Sequence, residues 1–420
     1  MIVGPGDRRY SALRSTYTKR GTPAGIALPR TATEVAGALA HAREHGLAVA
    51  VRSGGHGLAG TSTNDGGLVV DLSAMDEVTV LDRDAGLVRV GAGARWADVA
   101  AVLGRHGLAI SAGDHGNVGV GGLVTGGGIG WLVRSYGLTI DHVRAADVVL
   151  ADGRLARADA EHDPELLWTV RGAGAGAGIV TAFEITAARV RDVGMGQFVF
   201  AADRDGGVLR RWASTVEGAP RELSTAVTVF RAGGSAVVQV TAVVADGNAG
   251  RVRKILQPMR ELGPLLDSRV DVVPYPALVS PAHKHPNVGQ QPVTLTNGLF
   301  TRLPAEAVMG LVHSGRSLVQ LRSVGGAVND VAADATAYAH RHQNVLVLAS
   351  VFPPEGRAAL ESQWRGLAGS ADGAYVNFES ARDRSAFARA YPGRTGARVA
   401  AAWDRYDPGG LLRPGTFGPG

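Results

Sequence analysis

The sequence predicts an α+β protein of more than one domain, and three observations carry that prediction. The chain is 420 residues long, enough for two or three domains at roughly 100–200 residues each. Glycine, at 59 residues, is about twice its usual share of about 7% and crowds the first 190 positions, where helix and strand patterns alternate. Beyond residue 190 the strand patterns lengthen, and helices stand apart from them on longer connections. These shifts divide the chain into 1–190, 191–374 and a short aromatic tail, 375–420, rich in Pro and Gly at its end.

The elements follow in order. Thr31 and Glu34 form a Thr-x-x-Glu capping box ahead of a helix over Thr33 to His45, with Gly46 as its stop. A strand over Leu47–Val51 leads into the loop Arg52-Ser53-Gly54-Gly55-His56-Gly57. A second helix runs from Trp96 to His106, stops at Gly107, and a strand over Leu108–Ser111 leads into Gly113-Asp114-His115-Gly116. Both passages share the plan of helix, His-Gly-Leu-Ala, strand and glycine loop with a histidine. Each therefore delivers a histidine on a glycine loop toward one region. Short strands are predicted at Gly67–Leu72, Val78–Leu81 and Leu87–Val90, with a turn at Asp84-Ala85-Gly86. Ala146–Leu150 and Leu155–Ala158 read as a hairpin, and Asp163-Pro164 as an N-cap and first helical residue. In the middle zone Ala226–Arg231 and Ala236–Val244 read as antiparallel strands. Asn248–Leu262 and Pro304–Leu321 read as helices, and Val345–Val351 as a buried strand.

Composition excludes several chemistries. The chain has no cysteine, so disulfides, thiolate catalysis and Cys-ligated metals are out. Of its 43 basic residues only Lys19, Lys254 and Lys284 are lysine, and no block of five or six occurs. That pattern reflects an arginine-rich composition rather than a nucleic-acid surface. His283-Lys284-His285 and His340-Arg341-His342 have i,i+2 spacing without paired carboxylates, so they read as surface residues and no metal site is expected. No G-x-S-x-G elbow supports hydrolysis, and Trp364 and Trp403 read as packing residues. No apolar run reaches the roughly 20 residues of a spanning helix, and the start MIVGPGDRRY lacks an apolar signal core. A cytoplasmic protein that binds neither membrane nor nucleic acid is expected.

Glycine loops can cradle phosphates. Gly172, Gly174 and Ala177 satisfy the G-x-G-x-x-A spacing of a dinucleotide fold, but that loop must open into a helix. Here the β-branched stretch Ile179–Ile185 follows, which reads as a strand, so the ordinary dinucleotide reading fails. The more specific signal is an ordered set. It comprises Arg52-Ser53-Gly54-Gly55-His56, Thr63-Asn64-Asp65-Gly66-Gly67, Val70-Asp71-Leu72, Gly119-Val120-Gly121-Gly122, Gly126-Gly127-Gly128-Ile129-Gly130 and Trp168-Thr169-Val170-Arg171-Gly172.

This set resembles the FAD-binding domain of the vanillyl-alcohol oxidase superfamily, and within it the berberine-bridge-enzyme-like oxidases. The resemblance is strong over about 20–190 and returns in Tyr406-Asp407-Pro408. It implies a two-subdomain FAD-binding domain plus an α+β substrate domain with an antiparallel sheet. It implies that Arg52, Ser53, Gly54, Gly55, His56 and Gly57 wrap the FAD pyrophosphate, with His56 bonded to the flavin's 8-methyl carbon. His115 stands where many relatives carry a second, cysteinyl link. With no cysteine in the chain, attachment through His56 only is expected. Val118, Gly119, Gly121, Gly122, Gly126, Gly127, Gly128 and Gly130 would lie along the cofactor. Gly178, Ile179 and Val180 would approach its adenine and ribose. Val143, in Asp141-His142-Val143, matches a family position that gates dioxygen. Tyr375-Val376-Asn377 resembles a ring-side Tyr-x-Asn, which makes Asn377 a flavin contact. Two stretches depart from the pattern. Gly176-Ala177-Gly178 replaces Asn-Phe-Gly, and the tail continues as Pro414-Gly415-Thr416-Phe417 without Asn-x-Asn-Ile.

The implied activity is oxidation of a small organic substrate in secondary metabolism. A hydride leaves an amine, alcohol or activated ring C–H, and dioxygen is reduced to hydrogen peroxide. His115, Tyr136 and His142 are the candidate catalytic bases, and nothing in the sequence chooses among them. A flavin-dependent oxygenase or oxidative cyclase, and a flavoprotein that only sequesters a small molecule, remain alternatives. Substrate and dioxygen are the expected partners, with a homodimer left open.

Overall fold

The computed structural model describes residues 1–232, 235–282, 285–314, 317–413 and 417–418. The helix Ala32–Glu44 starts where the capping signal placed it. Thr31 Oγ1 accepts from the Glu34 N–H at 3.2 Å, while the Glu34 carboxylate accepts from the Arg30 N–H at 2.6 Å, one residue before the expected partner. Gly46 then turns the chain with φ +61°. Strand Val49–Arg52 follows and pairs in parallel with Leu68–Asp71, which pairs in parallel with Gly25–Ala27; Ile2–Val3 closes this four-stranded sheet.

A five-stranded antiparallel sheet comes next, in the order Val78–Asp82, Leu87–Gly91, Ile179–Thr186, Val143–Val149 and Leu155–Ala158. The stretch after the Gly172–Gly178 run is therefore a strand, as its β-branched residues require. Helix Pro164–Ala173 is capped by Asp163, whose Oδ1 accepts from the Leu166 N–H at 3.0 Å.

A seven-stranded sheet, antiparallel throughout, forms the rest. Its order is Leu265–Pro274, Asp192–Ala201, Ser235–Val244, Leu223–Ala232, Leu318–Ser323, Val345–Val351, Thr294–Phe300. Its alternate residues Val227, Val229, Val238, Val240, Val319 and Leu321 pack with Trp212, Leu256, Met309 and Trp364 from the helices on one face. The other face turns toward the first two sheets. The tail returns to those sheets, where Phe387, Tyr391, Trp403 and Phe417 form an aromatic cluster. No helix among the described residues is long and apolar enough to cross a membrane.

Three expectations need correction. The apolar pattern over 304–321 is not one helix: Ala305–His313 is helical and Leu318–Ser323 is a strand. Val319 and Leu321 alternate with half-exposed neighbours, a period of two that the helix reading absorbed. Asn248 does cap a helix, but the α-helical part is Ala249–Leu256 and Gln257–Glu261 tightens to a 3-10 turn. His340 and Arg341 are not surface residues, being 3% and 4% exposed. Burial holds the His340 imidazole down to about 4, and its Nε2 pairs with the Ala390 carbonyl at 3.1 Å. The Arg341 guanidinium grips both Asp141 oxygens at 2.8 and 2.9 Å. No cluster of three metal-ligating side chains occurs among the described residues; His283 and Lys284, like Pro414 to Thr416, lie outside them.

Removing one partner of a buried ion pair strands the other charge. Arg341→Met is therefore expected to destabilise the fold by about 3–5 kcal/mol, read as a lowered denaturant midpoint at unchanged slope. A midpoint within error of the parent would show that Asp141 finds another partner.

Candidate flavin and substrate site

Two glycine loops meet at the edge of the first sheet. The strand Val49–Arg52 delivers residues 53–57, and the connection after Leu108–Ala109 delivers residues 113–119. A Cβ on Gly54 would lie 2.2 Å from the Gly119 nitrogen, and one on Gly119 would lie 2.1 Å from both the Gly54 nitrogen and Ser53 Oγ. Only two glycines allow that approach. Ser53 Oγ ties the loops further, donating to the Ala92 carbonyl at 2.6 Å and accepting from the Gly121 N–H at 3.3 Å. Arg95 bridges the carbonyls of Gly54 and Asn117 at 2.9 and 2.5 Å. Nothing in the sequence marked Arg95, because its role depends on two loops 22 and 41 residues away.

Arg52 acts from behind. Its buried guanidinium pairs with Asp71 at 2.8 Å and donates to the Ser15 carbonyl at 3.3 Å, which fixes the start of the loop. The N–H groups of Gly54, Gly55 and Gly57 donate to no described residue. That is the condition an anion such as a pyrophosphate satisfies.

The two histidines come together. The His56 and His115 rings are 4.9 Å apart at 42°. Tyr17 stacks on His56 at 4.4 Å and 14°. The His115 Nδ1 accepts from the Asn117 N–H at 3.4 Å, and Val118 packs at the margin of the first core. Asp114 pairs with Arg322 of the seven-stranded sheet at 2.8 Å, and the Arg322 guanidinium lies 5.5 Å from the centre of the Phe378 ring. Burial raises the Asp114 carboxyl, but the Arg322 charge and its hydrogen bond outweigh that and hold it below the usual carboxylate range. Tyr17, Arg322 and Phe378 carry no motif in the sequence, and Asp114 stands in it only as the neighbour of His115.

Beside this group, Asn377 donates to the Leu123 carbonyl at 3.2 Å and to the Tyr375 hydroxyl at 3.0 Å, and that hydroxyl accepts from the Gly128 N–H at 2.9 Å. The glycines here serve protein contacts. A Cβ on Gly126 would strike Asn377 at 2.2 Å, on Gly127 Tyr375 at 2.9 Å, on Gly128 Thr139 at 2.1 Å, and on Gly130 the Ala112 carbonyl at 1.4 Å. Gly178 faces Val148 at 2.5 Å, and Ile179 and Val180 are buried at the start of their strand. On Gly122, by contrast, a Cβ would meet nothing within 4 Å.

Val143 is fully buried at the start of its strand, and its carbonyl accepts from Arg171 at 2.6 Å. The contacts of Tyr136 and His142 run elsewhere than to the histidine pair. Tyr136 packs in a small cluster with Leu132, Val190, Val243 and Tyr275. Partial burial and the Glu222 charge push its hydroxyl above the ordinary phenol value, which weakens it as a base near neutrality. The His142 Nε2 pairs with the Tyr136 carbonyl.

Comparison with known proteins adds three findings. Residues 23–159 match the family described as FAD binding domain. (R)-6-hydroxynicotine oxidase of Paenarthrobacter nicotinovorans is 37% identical over 186 residues, 44% of this chain and 40% of that relative, so the match spans well under half of the relative's length. Two solved structures share the whole fold. One is glucooligosaccharide oxidase of Acremonium strictum, described with a 6-S-cysteinyl, 8α-N1-histidyl FAD, at TM-score 0.86 and 25% identity over 100% of this chain and 96% of that one. The other is BBE-like 1 of Physcomitrella patens, at 0.89 and 22% over 99% and 96%.

Proposed function

We infer that the chain is an FAD-dependent oxidase of the vanillyl-alcohol oxidase and berberine-bridge-like kind, taking hydride from a small organic or carbohydrate substrate, at a C–H beside N or O or at an activated ring carbon, and using dioxygen to form hydrogen peroxide. The single observation that supports it is the meeting of His56, His115 and the N–H groups of Gly54, Gly55 and Gly57 under a sheet that presents Arg322. The residues fit FAD. Gly54, Gly55 and Gly57 leave donors for its pyrophosphate, and Gly122 leaves room for a flat group beside the helix that it helps to start. When bound, FAD supplies the two-electron chemistry that no side chain offers.

The chain's own residues do the rest. His56 is the attachment point, and its single link follows from the lack of cysteine. Asn377 and Tyr375 hold the glycine run at 126–128 in place beside the ring. Arg322, neutralised by Asp114, offers its remaining donors to a substrate oxygen, and Phe378 keeps water from that side. His115 is the base we favour, because its ring alone among the three candidates touches the His56 ring. The test uses purified holoprotein. Anaerobic addition of an oxidisable amine or sugar should bleach the yellow colour, and air should return it with one peroxide per substrate. Return of colour without peroxide would favour an oxygenase or cyclase, and no bleaching with any substrate would sink the oxidase reading.

Val143 is the proposed border of the dioxygen path. Adding a methylene to this fully buried site overpacks it. Val143→Leu is expected to slow dioxygen uptake several-fold while anaerobic bleaching keeps its parent rate; equal uptake would remove Val143 from that path.

A further inference from the structure

We propose that Tyr17 is the positioning residue that sets the His56 imidazole for covalent attachment to the flavin; this rests on the reading of His56 as the attachment point. Tyr17 lies before the motif-bearing segment, yet its ring is nearly parallel to His56 at 4.4 Å. Its backbone belongs to the same construction. The Tyr17 N–H donates to the Gly55 carbonyl at 2.9 Å, next to His56, and its carbonyl accepts from the Gln291 N–H at 3.1 Å. The Tyr17 backbone is thus pinned from two sides while its ring covers one face of the imidazole. His115, tilted at 42° and 4.9 Å from His56 but only 6.4 Å from the Tyr17 ring, lies toward the edge of the imidazole. A side chain on a glycine loop has several rotamers open to it, and a ring stacked on one face with a second near the edge leaves the imidazole few.

Attachment joins an imidazole nitrogen to the methyl carbon of the cofactor ring. The N–H proton and one methyl hydrogen leave as two protons, the two electrons released enter the ring, and dioxygen takes them up to give hydrogen peroxide. That oxidant is the one the proposed activity already uses. The imidazole must approach the methyl carbon along one direction, so holding its plane raises the rate of bond formation without any proton transfer by Tyr17. The stack needs the ring and not the hydroxyl.

The experiment compares the full-length parent with Tyr17→Phe, Tyr17→Leu, Tyr17→Ala and His56→Ala, each purified from FAD-replete cells. Flavin is counted per chain before acid precipitation, then in pellet and supernatant, at successive times in air. The parent and Tyr17→Phe should carry their flavin into the pellet. Tyr17→Leu and Tyr17→Ala should bind as much flavin but convert it to the acid-stable form about two- to twelvefold more slowly, the range an aromatic pair of about 0.5–1.5 kcal/mol allows. Parent-like conversion in both would overturn the proposal. Loss of all flavin from both would make Tyr17 a binding residue and overturn it equally. Flavin retained in the His56→Ala pellet would instead overturn the reading beneath it.

Discussion

His56→Ala is expected to leave no flavin with the acid-precipitated chain, while the native protein stays yellow at close to the parent's flavin content. The donors assigned to the pyrophosphate are backbone N–H groups of Gly54, Gly55 and Gly57, which the substitution does not remove. Binding should therefore survive and only the bond should go. The chain offers no second nucleophile of the usual kind, since it has no cysteine. His115→Ala should keep its flavin in the pellet, because its expected place is beside the ring rather than bonded to it. The measurement is flavin fluorescence of the pellet under acid. A bright pellet from His56→Ala together with a dark one from His115→Ala would exchange the two roles, an outcome that rings 4.9 Å apart make a fair test.

Gly119→Ala is expected to cut flavin affinity by roughly 5- to 150-fold, the equivalent of the about 1–3 kcal/mol that overpacking costs. The new methyl would sit 2.1 Å from the Gly54 nitrogen and from Ser53 Oγ. Ordinary contact is near 3.5 Å, so the loops must part by more than about 1 Å. Parting them strains the Ser53 and Arg95 ties and moves the open N–H groups off a common centre. Gly122→Ala is the matched comparison, because a Cβ there meets no protein atom within 4 Å. It should leave the thermal stability of the chain intact. Flavin per chain and thermal midpoint, measured side by side, separate a spoiled cradle from a spoiled fold. Parent-level flavin in Gly119→Ala would show that the close approach of the two loops is not needed for binding.

The site was legible where a residue's job is local. The 52–57 loop is announced by glycines that the backbone needs, and His56 lies within it. Asp163 and Thr31 announce helix starts because a cap is satisfied within three residues. The Gly126–Gly130 run was also visible, but its reason was not. The sequence suggested room for a cofactor, whereas those glycines admit Asn377, Tyr375, Thr139 and Ala112. An absent side chain says that something comes close and not what it is.

By itself, the sequence determined the class of the fold, the two histidine-bearing loops and the exclusion of any cysteinyl link, since each depends on short-range patterning or plain composition. Only the tertiary structure decided which residues join those histidines. Tyr17, Arg95, Arg322 and Phe378 reach the site across separations that leave no periodic trace. The same holds for the strand Leu318–Ser323, whose short apolar alternation fits a helix until the neighbouring strands Leu223–Ala232 and Val345–Val351 pair with it. The physical reason is common to both. Local hydrogen bonding and turn geometry are written in adjacent residues, while strand pairing and ring contacts are settled by burial, which only the assembled sheets create.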